Sequence, residues 1–111
     1  MPSRVFPAGS AELSPTPLDP DQVVSGNPQV SALELLAGDD LEIGVWEHST
    51  GRSTDVEAEE VFVVLRGRAT IEVAGGPTLQ VGPGDVGVLH AGDQTTWTVH
   101  EDLRKVYVLR G

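Results

Sequence analysis

Apolar and polar residues alternate with a period of two along much of this chain, the pattern of strands that bury one face. Residues 41–48, Leu-Glu-Ile-Gly-Val-Trp-Glu-His, follow this alternation from Leu41 to Val45 and read as one strand. Residues 60–66 are β-branched and aromatic, which predicts a buried strand that Gly67 should end. Residues 69–73 alternate again, and Ala74-Gly-Gly-Pro77 predicts a hairpin turn into 78–81. Turns at 82–85 and 90–93 bracket a strand at 86–89, and strands at 95–100 and 104–109 complete the set. Residues 30–36 fit a short helix or a strand. The pattern therefore predicts at least seven short strands with turn signals every eight to twelve residues and no amphipathic helix between them. That is an antiparallel sandwich or barrel, not a parallel α/β sheet.

The first thirty residues differ. Pro2, Pro7, Pro15, Pro17, Pro20 and Pro28 make up six of the eight prolines in the chain. Proline fixes φ and removes an amide donor, so residues 1–30 are expected to form an extended arm and a first edge segment, with the barrel in 31–111. The arm could lie along the barrel, lie along a partner subunit, or be loosely held.

Composition narrows the function. A length of 111 residues fits one domain. Without cysteine there is no disulfide, thiolate metal site or cysteine nucleophile. A net charge of −10 would repel a phosphate backbone, so no nucleic-acid partner is expected. No apolar run reaches the roughly 20 residues of a membrane helix, and Met1-Pro-Ser-Arg-Val-Phe-Pro lacks a signal-peptide core. The expectation is a soluble, cytoplasmic protein without a membrane partner.

Two segments carry a family resemblance. Glu60 is followed after six residues by Gly67, and Gly84-Asp85, a four-residue strand, His90-Ala-Gly92 and Thr96-Trp97 follow. In order and spacing they resemble the two cupin motifs. With Gly44-Val-Trp46 and the run Thr-Trp-Thr-Val-His-Glu-Asp-Leu-Arg-Lys-Val-Tyr at 96–107, the sequence resembles small cupins of the ureidoglycine aminohydrolase and ethanolamine-utilisation branch. The resemblance spans roughly residues 40–109 and implies an all-β, antiparallel, cupin-type (jelly-roll) barrel, with a homodimer as the expected assembly. In that family a His-x-His pair, a glutamate and a third histidine hold a divalent metal. Here the pair falls on Ser53 and Asp55, or on Thr54 and Val56, and the third histidine on Thr95. Of the usual ligands only Glu60 remains.

The residues then divide by face. Glu60 should point inward with Phe62 and Val64, and a carboxylate there needs a cation, a donor or a metal. It could equally sit at an exposed strand end or pair with Lys105 or Arg104. Trp46 and His48 share one face of their strand, opposite Leu41, Ile43 and Val45, and alternation does not say which face is inward. Thr95, Trp97 and Val99 share a face, with Thr95 in the pocket-facing slot and Trp97 as core or as a wall for a planar ligand. Lys105, Tyr107 and Leu109 share another, so Lys105 and Tyr107 could add donors to the cavity. Within the acidic cluster Asp55, Glu57, Glu59 and Glu60, alternation places Glu57 and Glu59 away from Glu60, as a solvated edge. His90 and His100 read as solvated or structural.

The expected function is a small-molecule-binding pocket inside the barrel, built from Glu60, Trp97, Trp46, His48, Thr95, Lys105 and Tyr107. The alternative implied by the resemblance is a metal-dependent, Mn-type aminohydrolase-like enzyme acting on a small ureido or amino compound. A divalent metal (Mn, Fe or Zn) would then lie on Glu60, with His48.

Overall fold

The computed structural model describes residues 2–111. Nine strands form: β1 (Ser14–Pro15), β2 (Val23–Ser25), β3 (Val30–Ala37), β4 (Leu41–His48), β5 (Gly51–Val56), β6 (Glu59–Val73), β7 (Thr78–Val81), β8 (Val86–Leu89) and β9 (Gln94–Arg110). The only helical turn among the described residues is a 3-10 turn at Pro20–Gln22. Every pairing is antiparallel. The ambiguous stretch at 30–36 is strand, because Val30 to Leu33 pair in register with His48 to Val45.

Two long strands organise the barrel. Gly67 does not end a strand: β6 runs through it, and the two strands expected at 95–100 and 104–109 are one, β9. β6 and β9 pair along almost their whole length, with register shifts between Val64 and Ala69. Each therefore belongs to two layers. In the first layer, residues 103–110 of β9 lie between β4 and residues 59–66 of β6, flanked by β3 and β8. In the second, residues 94–99 of β9 lie between β5 and residues 69–73 of β6, flanked by β2 and β7. At the bend Gly67 takes φ +89°, and a Cβ there would strike the Asp102 carbonyl on the neighbouring strand. Only glycine lets the two strands cross this closely.

Side chains of both layers meet in one core. Phe62, Val64, Leu89, Leu103 and Tyr107 of the first pack with Ala69, Ile71, Val81, Trp97 and Val99 of the second. The alternation expected for 60–64, 95–99 and 105–109 holds. On β4 the even face is inward: His48 is buried, and Trp46 packs against the core.

The N-terminal segment is tied to the barrel. β1 pairs with β3, and β2 pairs with β5. Arg104 donates from Nη1 to the Ala8 and Ala11 carbonyls at 3.0 and 2.9 Å, while its Nε and Nη2 hold Glu47 Oε2 at 3.0 and 2.6 Å. Arg66 adds a bond to the Gly9 carbonyl at 2.7 Å.

Candidate functional site

A cavity of about 310 Å³ opens between the two layers, with Trp46, Ser53, Asp55, Glu57, Glu60 and Trp97 among its walls. Glu42, Lys105 and Tyr107 complete its charged and aromatic lining, and Leu109 adds an apolar side chain. A wider groove beside it shares Thr54, Asp55 and Val56 and is walled by residues of β5, β6, β7 and β9. The inner cavity is the stronger site, because the buried ionisable groups converge there.

Its centre is an ion pair. Glu60, inward on β6, and Lys105, inward on β9, are both buried, and Lys105 Nζ donates to Glu60 Oε2 at 2.6 Å. The ammonium lies 4.4 Å from the Trp46 ring centroid and 4.6 Å from those of Phe62 and Trp97. All three distances fall within cation–π range. Trp46 and Trp97 also contact each other at 5.5 Å, and Phe62 and Trp97 at 5.8 Å.

Glu57 corrects the expectation drawn from alternation. It does not point to solvent: it is 7% exposed, and its Oε2 accepts from Thr95 Oγ1 at 2.6 Å and Trp97 Nε1 at 3.0 Å. Residues 57 and 58 lie between β5 and β6, so the period of two is interrupted there. The backbone of Glu57 is clamped to the 90–93 turn, its N–H on the Asp93 carbonyl and its carbonyl taking the Gly92 N–H. That anchor turns the side chain inward. Glu59 does face out, as expected, and pairs with His90 at 2.9 Å.

The remaining groups are oriented by single bonds. Tyr107 donates to Glu42 Oε2 at 2.8 Å, and burial with that carboxylate pushes its hydroxyl pKa well up. Its ring covers Gly44, where any Cβ would collide with it. Burial, then the nearby Glu57 charge, raises the Asp55 carboxyl above its ordinary value. His48 does not line the cavity. Its Nδ1 donates to the Ser49 carbonyl at 2.6 Å, which leaves Nε2 to accept from Ser53 Oγ at 2.8 Å. Thr95 likewise lies behind the wall, spent on Glu57. The structure thus brings Glu60, Trp97, Trp46, Lys105 and Tyr107 to one cavity, sets His48 and Thr95 behind it, and adds Glu57, Asp55 and Ser53.

Burial lowers the His48 pKa, so above about pH 6.5 the folded and unfolded chains both hold it neutral. Below that value the unfolded chain takes up a proton first, and stability is lost as the pH falls toward the folded pKa. His90, raised by Glu59, has the opposite sign, with a contribution lost as the pH rises, but it is exposed and its pair is weak. Between about pH 7 and about pH 5 the wild type should therefore lose more stability than His48→Gln in urea unfolding. Equal losses would show that His48 is not buried neutral.

The donor set does not fit the divalent metal that the resemblance implies. The positions expected to hold imidazoles carry Ser53 and Asp55, or Thr54 and Val56, and Thr95; none is an imidazole, and Ser53 and Thr95 are already hydrogen-bonded to protein groups. Glu60, the one residue that keeps its place in the family's ligand set, is held by an ammonium. No group of three His, Cys, Asp or Glu side chains among the described residues could hold a metal ion.

Comparison with known proteins agrees with this architecture. The EutQ protein of Clostridium difficile superposes with a TM-score of 0.74 at 18% identity, over 96% of this chain and 85% of that one. A DUF861-family protein of unknown function from Pseudomonas syringae pv. tomato gives 0.78 at 28% identity, over 90% of this chain and 45% of that one. A protein of unknown function from Rhizobium leguminosarum gives 0.72 at 21%, over 99% and 98%. No curated protein matches by sequence. The family model for the EutQ-like cupin domain matches residues 35–107, and the chain belongs to that family.

Proposed function

We propose that this cupin binds a small cationic molecule, such as an amine or amidine, in the cavity between its layers. The observation that carries this is Glu57. Its Oε2 is held by two neutral donors, and among the described residues its Oε1 takes no hydrogen bond and no cation lies within ion-pair distance of it. That unpaired oxygen is open to the cavity, so a positive charge bound there can pair with it. Asp55 and Glu42 add acidity to the same walls, and only Lys105 offsets it. The tryptophans supply flat apolar surface for the rest of the ligand. The alternative, Mn-dependent aminohydrolase chemistry, finds no support in a donor set that does not fit the metal.

Titration of the protein with matched small amines, amidines and carboxylates, read by calorimetry, tests this. At least one cation should bind, and Glu57→Gln should weaken it at least tenfold. Binding confined to carboxylates, or unchanged in Glu57→Gln, would overturn the proposal.

A homodimer in the cytoplasm is the assembly we propose. The absence of cysteine suits a reducing compartment. The outward face of the first layer carries two apolar rows. One is Val88, Val61, Val108, Ile43 and Leu36, and beside it lie Val86 and Val63, whose row is covered further along, at Val45. Val86 is 62% exposed and Val88 51%. Together they span on the order of 200 Å² of sheet, and contiguous apolar patches of a few hundred Å² are often functional. A second copy is the occupant that fits. Chains of charge −10 repel one another except through an uncharged face, and a two-fold axis sets these β-branched rows against themselves. Light scattering should give a dimer for the wild type and a monomer for Val61→Glu/Val88→Glu. A monomeric wild type, or a double variant that remains dimeric, would refute this interface.

A further inference from the structure

Lys105 is the sole lysine of the chain, whose other six basic residues are arginines. It is 4% exposed, and its ammonium meets three aromatic faces and one carboxylate contributed by three strands, β4, β6 and β9, of both layers. A guanidinium is planar and could stack on only one or two of these rings. A compact ammonium can face all three at once. The arrangement has the anatomy of a receptor for an ammonium ion, with the occupant attached to the chain.

We propose that the Lys105 ammonium is the resident cation of the cavity: a tethered occupant of an aromatic and carboxylate cage, on Glu60, in place of a metal ion. The cavity then carries a fixed positive charge that neither chelators nor metal supply can change. The cage itself selects ammonium ions and accepts a free one once the tether is removed. This goes beyond the ligand proposed for Glu57, which lies on a different carboxylate, so either can fail without the other.

Lys105→Ala empties the cage. The only two tryptophans of the chain, Trp46 and Trp97, both line it, so intrinsic fluorescence reports its occupancy. Titrated with n-propylammonium, Lys105→Ala should respond at a concentration at least tenfold lower than the wild type does, and at least tenfold lower than it responds to n-propanol. Glu60→Gln in the same background should abolish that gain, whereas Glu57→Gln should leave it. An equal response to propanol would mean that only a hole is being filled, and would overturn the proposal. Uptake of one Mn²⁺ or Zn²⁺ per Lys105→Ala chain without an amine response would overturn it in favour of a masked metal site.

A second measurement uses the unaltered protein and so survives misfolding of the variant. With lysine labelled by ¹⁵N and ¹³C, the single side chain should show resonances moved upfield by the rings. Reductive methylation of Lys105 should be at least tenfold slower in the native protein than in urea. Unshifted resonances, or methylation at the unfolded rate, would refute the cage.

Discussion

Glu60→Ala is expected to destabilise the fold by about 3–5 kcal/mol, the range for a buried ion pair that loses one partner. Glu60 is 6% exposed, and among the described residues it is the only carboxylate in ion-pair contact with Lys105. Its removal leaves an ammonium held only by three ring faces, which attract it without replacing the hydrogen bond at 2.6 Å. Removing both charges should behave differently. Glu60→Leu/Lys105→Met replaces the pair with apolar side chains of similar size among Trp46, Phe62 and Trp97, and such exchanges are often neutral. Urea unfolding of wild type, single and double variants measures both. A single variant within about 1 kcal/mol of wild type, the range of a solvent-screened surface pair, would show that the pair is not buried in solution. A double variant as unstable as the single would show that the pair organises the barrel beyond its own charges.

Gly67→Ala should be comparably severe, at about 2–5 kcal/mol, though no side chain is lost. Part of the cost is conformational, since φ is +89° and residues with a Cβ avoid that region. The rest is steric: the new methyl would strike the Asp102 carbonyl and approach Leu103 Cα at 2.7 Å. Both are backbone atoms, so relief requires the bend itself to open. Asp102 also accepts the Thr50 N–H at 3.0 Å, and Leu103 is wholly buried, so the disturbance should reach the core. Gly75→Ala is the control. Its φ is +74°, but nothing lies within 4 Å of its added Cβ, so only the conformational part remains. If the two variants lose equal stability, the close crossing of β6 and β9 contributes nothing.

How much of the site was legible follows from how alternation works. Within one strand the side-chain period is fixed, so a few residues determine a face. Glu60, Phe62 and Val64, then Thr95, Trp97 and Val99, then Lys105, Tyr107 and Leu109 could each be grouped from the sequence, and each group faces inward. A period has no absolute phase, so on β4 the sequence left Trp46 and His48 balanced against Ile43 and Val45. A period also ends where its strand ends. Glu57, two residues outside β6, therefore lies on the side opposite to the one alternation predicts, and its hydrogen bonds to Thr95 and Trp97 join residues about forty positions apart.

The sequence by itself determined the all-β class, the antiparallel pattern, the cupin resemblance and the loss of the usual histidine ligands, because these depend on local periodicity and spacing. Only the tertiary structure decided that the chain passes through Gly67 instead of stopping there. Nothing within the span 60–73 distinguishes a break from a bend until Asp102 lies against it. It alone decided that Lys105 meets Glu60 among three rings from three strands, since such a contact exists only when β4, β6 and β9 are side by side. The residue types were visible in the chain, but the charge they enclose depends on which strands become neighbours.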